Sequence, residues 1–349
     1  MRLRHHSGRI VHVSHGTGPR PTRTLSDVVS HLDSYAADRI ARHADTLGVS
    51  LWLPPTLAAA LAIDARSRAR LRAEIDARGL EVVTLSGEPY ALDEAVQPDW
   101  SDPARLEYTL DLARILVDLL PDDAVRGAVT TVGLGRRGAW DEASEKACSR
   151  ILGRLSGGLA EVAWHTGRAV RVGFRPAPGA VLDGSASVAA AFARLDKDRL
   201  GVCLDLAHVA CTWEHPTTYL DRLTGAGVAV IRLEAAAALE LADPVAGAET
   251  LRRYLADRGP CPVTTPDGGY AGDVTEALRV SPPGPWRVLC RVPSESAPPA
   301  PLRATTEVSD AGLRRLLAGA VPGTEHLDID WVAAVALAAA PLVERVAAP

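Results

Sequence analysis

"RLGVCLDLAHVACTW", residues 199–213, holds the pattern that decides the fold. Leu200 to Leu204 is an apolar run of strand length, followed at once by helix-compatible sequence. An apolar run without alternation belongs to a strand buried on both faces, as in a parallel sheet covered by helices. Asp205 closes the run and His208 follows three residues later. A carboxylate at the end of a buried strand is costly unless it is paired, caps a helix or binds a cation. The Asp-x-x-His spacing therefore has two readings. Either both side chains point at one divalent ion across a tight turn, or Asp205 caps a helical turn and His208 is a satisfied core histidine.

The same strand-then-helix unit recurs on either side. "RIVHVSH" (9–15) precedes a helix from about Leu25 to Leu47, and "VSLWLP" (49–54) precedes one through "LRAEIDARG", stopped by Gly79. "LEVVTLSGEPY" (80–90) leads to "DPARLEYTLDLARILVDLL", where Asp102 and Pro103 read as cap and first helical residue. "GAVTTVGLG" (127–135) leads to a helix from about Trp140 to Thr166, and "RAVRVGFRPAPG" (168–179) to "SVAAAFARL". "VAVIRLEA" (228–235) follows "PTTYLDRLTGAG", with a weaker helix at "AETLRRYLADRG". Two later segments, "WRVLCRVP" (286–293) and "EHLDIDW" (325–331), compete to be the last strand.

Seven clear units and an eighth favour an α/β fold, a (β/α)8 TIM barrel forming one domain over 1–349. Loop excursions are expected near 258–285 and 293–303, and a C-terminal packing helix over 331–347. An open doubly wound sheet is the rival. It ordinarily shows a Gly-rich phosphate turn after its first strand, and "SHGTGPRP" is not one.

Composition excludes several classes. The chain has 349 residues, 47% hydrophobic, with a net charge of −5 and both signs interspersed, which does not give the basic face that nucleic acids require. Five cysteines without a Cys-x-x-Cys spacing do not predict a disulfide framework or a zinc knuckle. The alanine-rich "WVAAVALAAAPLVERVAAP" is interrupted by Pro341, Glu344 and Arg345, so no membrane span is expected and the cytoplasm is the expected location. Lys146 and Lys197 are the two lysines, neither in a context suited to catalysis. Gly-x-Ser-x-Gly, HExxH and Walker motifs are absent.

In such a barrel the chemistry sits at the C-terminal ends of the strands. The polar residues read there are His12, His15, Trp52, Glu88, Arg175, Asp205, His208, Arg232, Glu234, Arg291, His326, Asp328 and Asp330. Strand alternation should turn about half of them away from the axis. His12 and His15 are candidates for a general base or substrate contact, because imidazole titrates near neutral pH. "SHGTGPRPT" is a candidate lid, and Trp52 and Trp213 are candidates to stack on a ring or to pack in the core. Arg175, Arg232 and Arg291 either bind an anion through paired hydrogen bonds or form a closed network with Asp205, Glu234 and Asp328.

Longer phrases carry a family resemblance. "LSDVVSHLDSYA", "LRAEIDARGLEVVTLSGEPY", "QPDWSDPARLEYTLDLARILVDLLPDDA", "RLGVCLDLAHVA" and "PWRVLCRVP" resemble the EboE-type metabolite traffic proteins. These lie within the xylose isomerase-like barrels that include sugar isomerases, epimerases and endonuclease IV. The likeness spans most of residues 10–331. It implies a xylose isomerase-like barrel that processes or moves a secondary metabolite, with a sugar- or cyclitol-like small molecule as ligand and operon-encoded proteins as further partners. Where the family carries fifth-strand glutamates this chain reads "GFRPAPG", with Arg175 and Ala177, and Leu289 and Arg291 replace histidines in "WRVLCRVP".

An arginine in place of a carboxylate ligand works against a dication. The expectation is therefore a binding or traffic protein with a degenerate metal site and no cofactor. The alternative is a zinc- or manganese-dependent isomerase or epimerase. It would hold its ion on Asp205, His208 and Asp328, with Glu234, Glu88 or His15 moving protons beside substrate contacts from His12, Trp52, Arg175, Arg232, Arg291 and Trp213. A non-catalytic scaffold subunit is the third reading.

Overall fold

A computed structural model describes residues 2–5, 8, 10–16, 23–87, 98–124, 126–320, 324–329 and 343–346. Eight parallel strands form the barrel: β1 (Ile10–Gly16), β2 (Leu47–Trp52), β3 (Leu80–Ser86), β4 (Arg126–Val132), β5 (Ala169–Arg175), β6 (Leu200–Asp205), β7 (Val230–Ala235) and β8 (His326–Ile329). Neighbours in sequence are neighbours in space, and β8 pairs with both β7 and β1, which closes the ring. The segment 325–331 thus contains the eighth strand, and 286–293 does not.

Helices return the chain between strands. Leu25–Ala41 begins with a capping box between Thr24 and Asp27, and Asp64, Asp102 and Asp141 cap the helices Ala65–Ala77, Pro103–Leu119 and Glu142–Thr166. Each short carboxylate or hydroxyl satisfies a backbone N–H that the first helical turn leaves without a partner. The main core lies between helices and barrel, where Val11, Val13, Val49, Leu51, Val129, Val172, Leu204 and Leu233 meet Val28, Leu32, Leu112, Leu116 and Leu155.

The excursion between β7 and β8 is more than loop. Ala237–Leu241, Val263–Thr264, Tyr270–Ala271, Trp286–Val292 and Arg303–Ala304 form a second, antiparallel sheet. With the helices Pro244–Tyr254 and Val274–Val280 it encloses its own core around Trp286, Leu239, Leu251 and Val288. This sheet docks on the short helix Leu206–Cys211. Arg287 Nη1 donates to the Ala210 carbonyl at 2.8 Å and Thr264 Oγ1 donates to that of Cys211 at 2.7 Å. These are C-terminal carbonyls of a helix, groups that need outside donors.

The C-terminal expectation is corrected in part. Val343–Val346 is a strand, antiparallel to Arg2–His5, which in turn pairs antiparallel with β1. A β-branched V-E-R-V segment beside an available strand edge satisfies its backbone there. The remainder of the expected helix, 331–342 and 347, lies outside the described residues. Among the described residues no helix is long and apolar enough to cross a membrane.

Candidate functional site

The apolar face of every barrel strand turns outward to the helices, which leaves the other face for the lumen. Ladder register carries that face around the ring. His12 and Ser14 lie beside His326 and Asp328, these beside Arg232 and Glu234, and these beside Cys203 and Asp205. Residues side by side in a parallel ladder point the same way. The Arg232 guanidinium crosses from β7 to donate to Thr130 Oγ1 of β4 at 3.1 Å, so this face is the interior.

Three cations and three carboxylates meet at the top of it. Arg175 Nη2 pairs with Glu234 Oε1, and Arg232 Nη2 with Asp328 Oδ2. Arg232 Nη2 also lies 3.5 Å from Glu234 Oε1. Arg291 reaches in from the excursion sheet, its Nε 2.5 Å from Asp205 Oδ2 and 4.0 Å from Glu234 Oε2. Burial alone would raise the Glu234 carboxyl, but Arg175, Arg232 and Arg291 together hold it down to about 2. Burial works against the charge on Arg232, yet Asp328 and Glu234 outweigh it and raise its pKa.

Asp205 and His208 take the bland reading of their spacing. Asp205 Oδ1 accepts from Ala207 N at 2.9 Å and so caps Leu206–Cys211, while its other oxygen meets Arg291. His208 turns to the Asp183 carbonyl, with Nε2 at 2.6 Å, and burial lowers its pKa. Asp205→Asn keeps the cap acceptor and Asp205→Ala does not. The alanine variant is expected to lose about 1–2 kcal/mol more in urea unfolding than the asparagine variant. Equal losses would mean the cap contributes nothing.

The other candidates divide. Trp52 shares the lumen side of β2 with Ser50, at the strand's C-terminal end. His12 also faces the lumen but sits one inward-facing step below the carboxylates, level with Arg232 and stacked on His326 at 5.9 Å between ring centroids. His15 is corrected: alternation turns it to the outer face beside Val49, away from the acids it was expected to join. Trp213 is held by the excursion sheet, its indole N–H 3.2 Å from Thr264 Oγ1 and the Arg287 guanidinium 4.0 Å over its ring. Both ring face and N–H are therefore engaged within the protein. Arg291 belongs to the second sheet rather than to a barrel strand. Glu88, Asp330 and the greater part of the expected lid (17–22) lie outside the described residues.

Reading strand ends alone missed Ser14, Thr84, Thr130 and Cys203. All four are buried, and Cys203 Sγ lies 3.6 Å from Glu234 Oε1. The signal was parity: Ser14, Thr84 and Thr130 are small polar residues at the same strand phase in β1, β3 and β4, and Cys203 shares the phase of Asp205 in β6.

The donor set does not fit a divalent cation. Each of Asp205, Glu234 and Asp328 already accepts from a guanidinium, and a dication placed among them would face three positive charges. Among the described residues no group of three His, Cys, Asp or Glu side chains is arranged to hold a metal.

Solved structures show the same architecture. A xylose isomerase domain protein from Planctomyces limnophilus is 14% identical, covers 94% of each chain and superposes with a TM-score of 0.51. The fold is that of the xylose isomerase-like barrels. A xylose isomerase-like TIM-barrel protein from Mycobacterium smegmatis, solved in complex with magnesium, is 12% identical. It matches over 90% of this chain and 89% of its own, with a TM-score of 0.51. No protein-family model and no curated protein matches the chain.

Proposed function

We propose that this barrel binds a small, uncharged, polyhydroxylated metabolite without a metal ion, in the manner of a traffic or processing protein of the EboE type. The observation that carries the reading is the inward-facing Arg175 on Glu234, flanked by the Arg232–Asp328 and Arg291–Asp205 pairs. Three guanidiniums balance three carboxylates, so the cluster offers donors and acceptors in equal measure and little net charge. A sugar or cyclitol hydroxyl both donates and accepts, which suits such a surface. A phosphate or carboxylate ligand would need cations in surplus. Further polar atoms of the lumen lack a protein partner among the described residues: Ser14 Oγ, Thr84 Oγ1, and Nδ1 of His12 and His326. The EboE-type assignment is supported by the long phrases of sequence and implies a setting in secondary metabolism, with the cytoplasm as the location expected from the sequence.

The test is thermal unfolding of the purified chain with neutral sugars and cyclitols, and with their phosphorylated forms, each with and without chelator. A neutral polyol at a hundred times its Kd is expected to add about 2.7 kcal/mol, unchanged by chelator. Stoichiometric zinc or manganese that is lost on chelation and in Asp205→Ala would overturn the proposal in favour of a metal-dependent isomerase or epimerase. A chain indifferent to every ligand that co-purifies with proteins of its own operon would overturn it in favour of a scaffold.

A further inference from the structure

Away from the barrel lumen, two of the five cysteines face each other across the second sheet. Val263 pairs with Val288 and Thr264 with Arg287, antiparallel. The ladder continues one step, with Leu289 N donating to the Pro262 carbonyl at 2.8 Å. The next pair in that register is Cys261 opposite Cys290. Because 262 and 289 form the hydrogen-bonded pair, 261 and 290 form the close, non-hydrogen-bonded one. In a regular ladder such a pair has its Cα atoms about 4.5 Å apart, within the roughly 4.4–6.8 Å that a disulfide spans. Both side chains are buried on the same face, beside Val263 and Val288.

The surroundings add chemistry to that geometry. Cys261 lines a cavity of about 580 Å³ whose rim carries Arg252, Arg258 and Arg279 against the single acid Asp273. Arg258 Nη1 lies 3.4 Å from Cys290 Sγ. The ladder to Ala237–Leu241, on the other edge of Trp286–Val292, shifts register between Val288 and Val292. Cys261 Sγ donates to the Gly259 carbonyl at 3.3 Å, and the Arg258 guanidinium beside the pair favours a thiolate there.

We propose that Cys261 and Cys290 are a thiol–disulfide exchange site, reacting with a small disulfide that bears carboxylates and enters through the arginine-rimmed cavity. Cys261, which faces the cavity, passes its proton to the Cys290 thiolate and attacks one sulfur of R–S–S–R. That S–S bond breaks, and R–S⁻ leaves and takes up the proton from Cys290 as R–SH. Cys290 then attacks the Cys261 sulfur of the mixed disulfide, which expels the second R–S⁻, protonated from solvent. The dithiol loses two electrons and becomes a disulfide, and the small disulfide is reduced to two thiols. One residue beyond Cys290, Arg291 crosses to Asp205, so exchange site and barrel rim share a strand.

The experiment uses the full chain, incubated natively with oxidised glutathione, quenched in acid, alkylated in denaturant and digested without reduction. Mass spectrometry is expected to find the Cys261 and Cys290 peptides linked, with Cys148, Cys203 and Cys211 alkylated. Cys290→Ser is expected to hold a glutathione adduct on Cys261, and Cys261→Ser to form none. Normalised to the reaction of each reagent with free cysteine, oxidised glutathione is expected to react several-fold faster than uncharged 2-hydroxyethyl disulfide. Alkylation of all five cysteines, a bond elsewhere, an adduct on Cys290 in Cys261→Ser, or equal normalised rates would each overturn the proposal.

Discussion

Replacing Arg232 with methionine is expected to cost about 3–5 kcal/mol of folding stability, read from urea unfolding at neutral pH. Its guanidinium is buried and holds Asp328 and Glu234 from one side and Thr130 from the other. Methionine keeps much of the volume and removes the charge, so carboxylates remain in the lumen with less compensation. The penalty comes from that stranded negative charge rather than from lost attraction alone. The companion Arg232→Met/Asp328→Leu variant is therefore expected to recover a large part of the loss. A cycle through both single variants should give a coupling of at least about 1 kcal/mol. A single variant that loses less than about 1 kcal/mol would show that the pair is solvated and that the lumen network does not hold the barrel closed.

The barrel was legible because parallel strands buried on both faces leave largely apolar runs that survive in the sequence: Leu200–Leu204 uninterrupted, and Val49–Leu53, Val82–Leu85 and Val170–Phe174 with one polar residue each. Strand boundaries came within a few residues, and Gly79 and Asp102 marked helix ends by chain geometry and capping chemistry. The second sheet was hidden for a physical reason. Val263–Thr264, Tyr270–Ala271 and Arg303–Ala304 are two-residue strands, too short to show a period of two, and their Pro- and Gly-rich surroundings read as loop. Trp286–Val292 has a clear strand pattern, but the pattern does not say which sheet it joins. That choice rests on register with Ala237–Leu241, a contact between distant segments.

The site was legible in its residue types and not in its pairing. Arg175, Asp205, Arg232, Glu234, Arg291 and Asp328 were all named from strand ends, and the closed ion-pair network was one of two arrangements those residues allowed. Which carboxylate each arginine takes depends on side-chain direction across the lumen, which spacing does not encode. His15 was misplaced for want of parity: with His12 facing inward, an odd step turns His15 outward. Asp205 and His208 have a spacing common to metal ligands and to a cap followed by a buried histidine. The third dimension decides it, through the Asp183 carbonyl and the Arg291 guanidinium.

Stability is expected to fall as pH drops from 6.5 towards 4, well before carboxylate protonation dominates. Burial, with Arg2 adding to it against the opposing charge of Asp123, lowers the His12 pKa to about 4. His326 is driven well below its usual value by burial, then by His12, Arg232, Arg171 and Arg126, and His208 is lowered by burial despite Asp205 and Asp183 nearby. A histidine with a depressed pKa is neutral in the folded chain while its unfolded counterpart takes up a proton below about 6.5. The unfolded state then binds more protons, so stability rises with pH across that window and is lost on acidification. His12 alone contributes roughly 3 kcal/mol of loss by pH 4, and His326 and His208 act with the same sign. Glu234 adds to the loss only lower down, as pH falls from about 4.5 towards about 2. Urea unfolding at pH 7, 6, 5 and 4.5 should show the slope, and His12→Gln should flatten it by the share that one proton carries. A stability that stays level to pH 5 would mean that His12 and His326 are already solvated in the folded chain. The lumen would then be open to water down to their level, and the ion pairs above them would be worth far less than the Arg232 variant is expected to show.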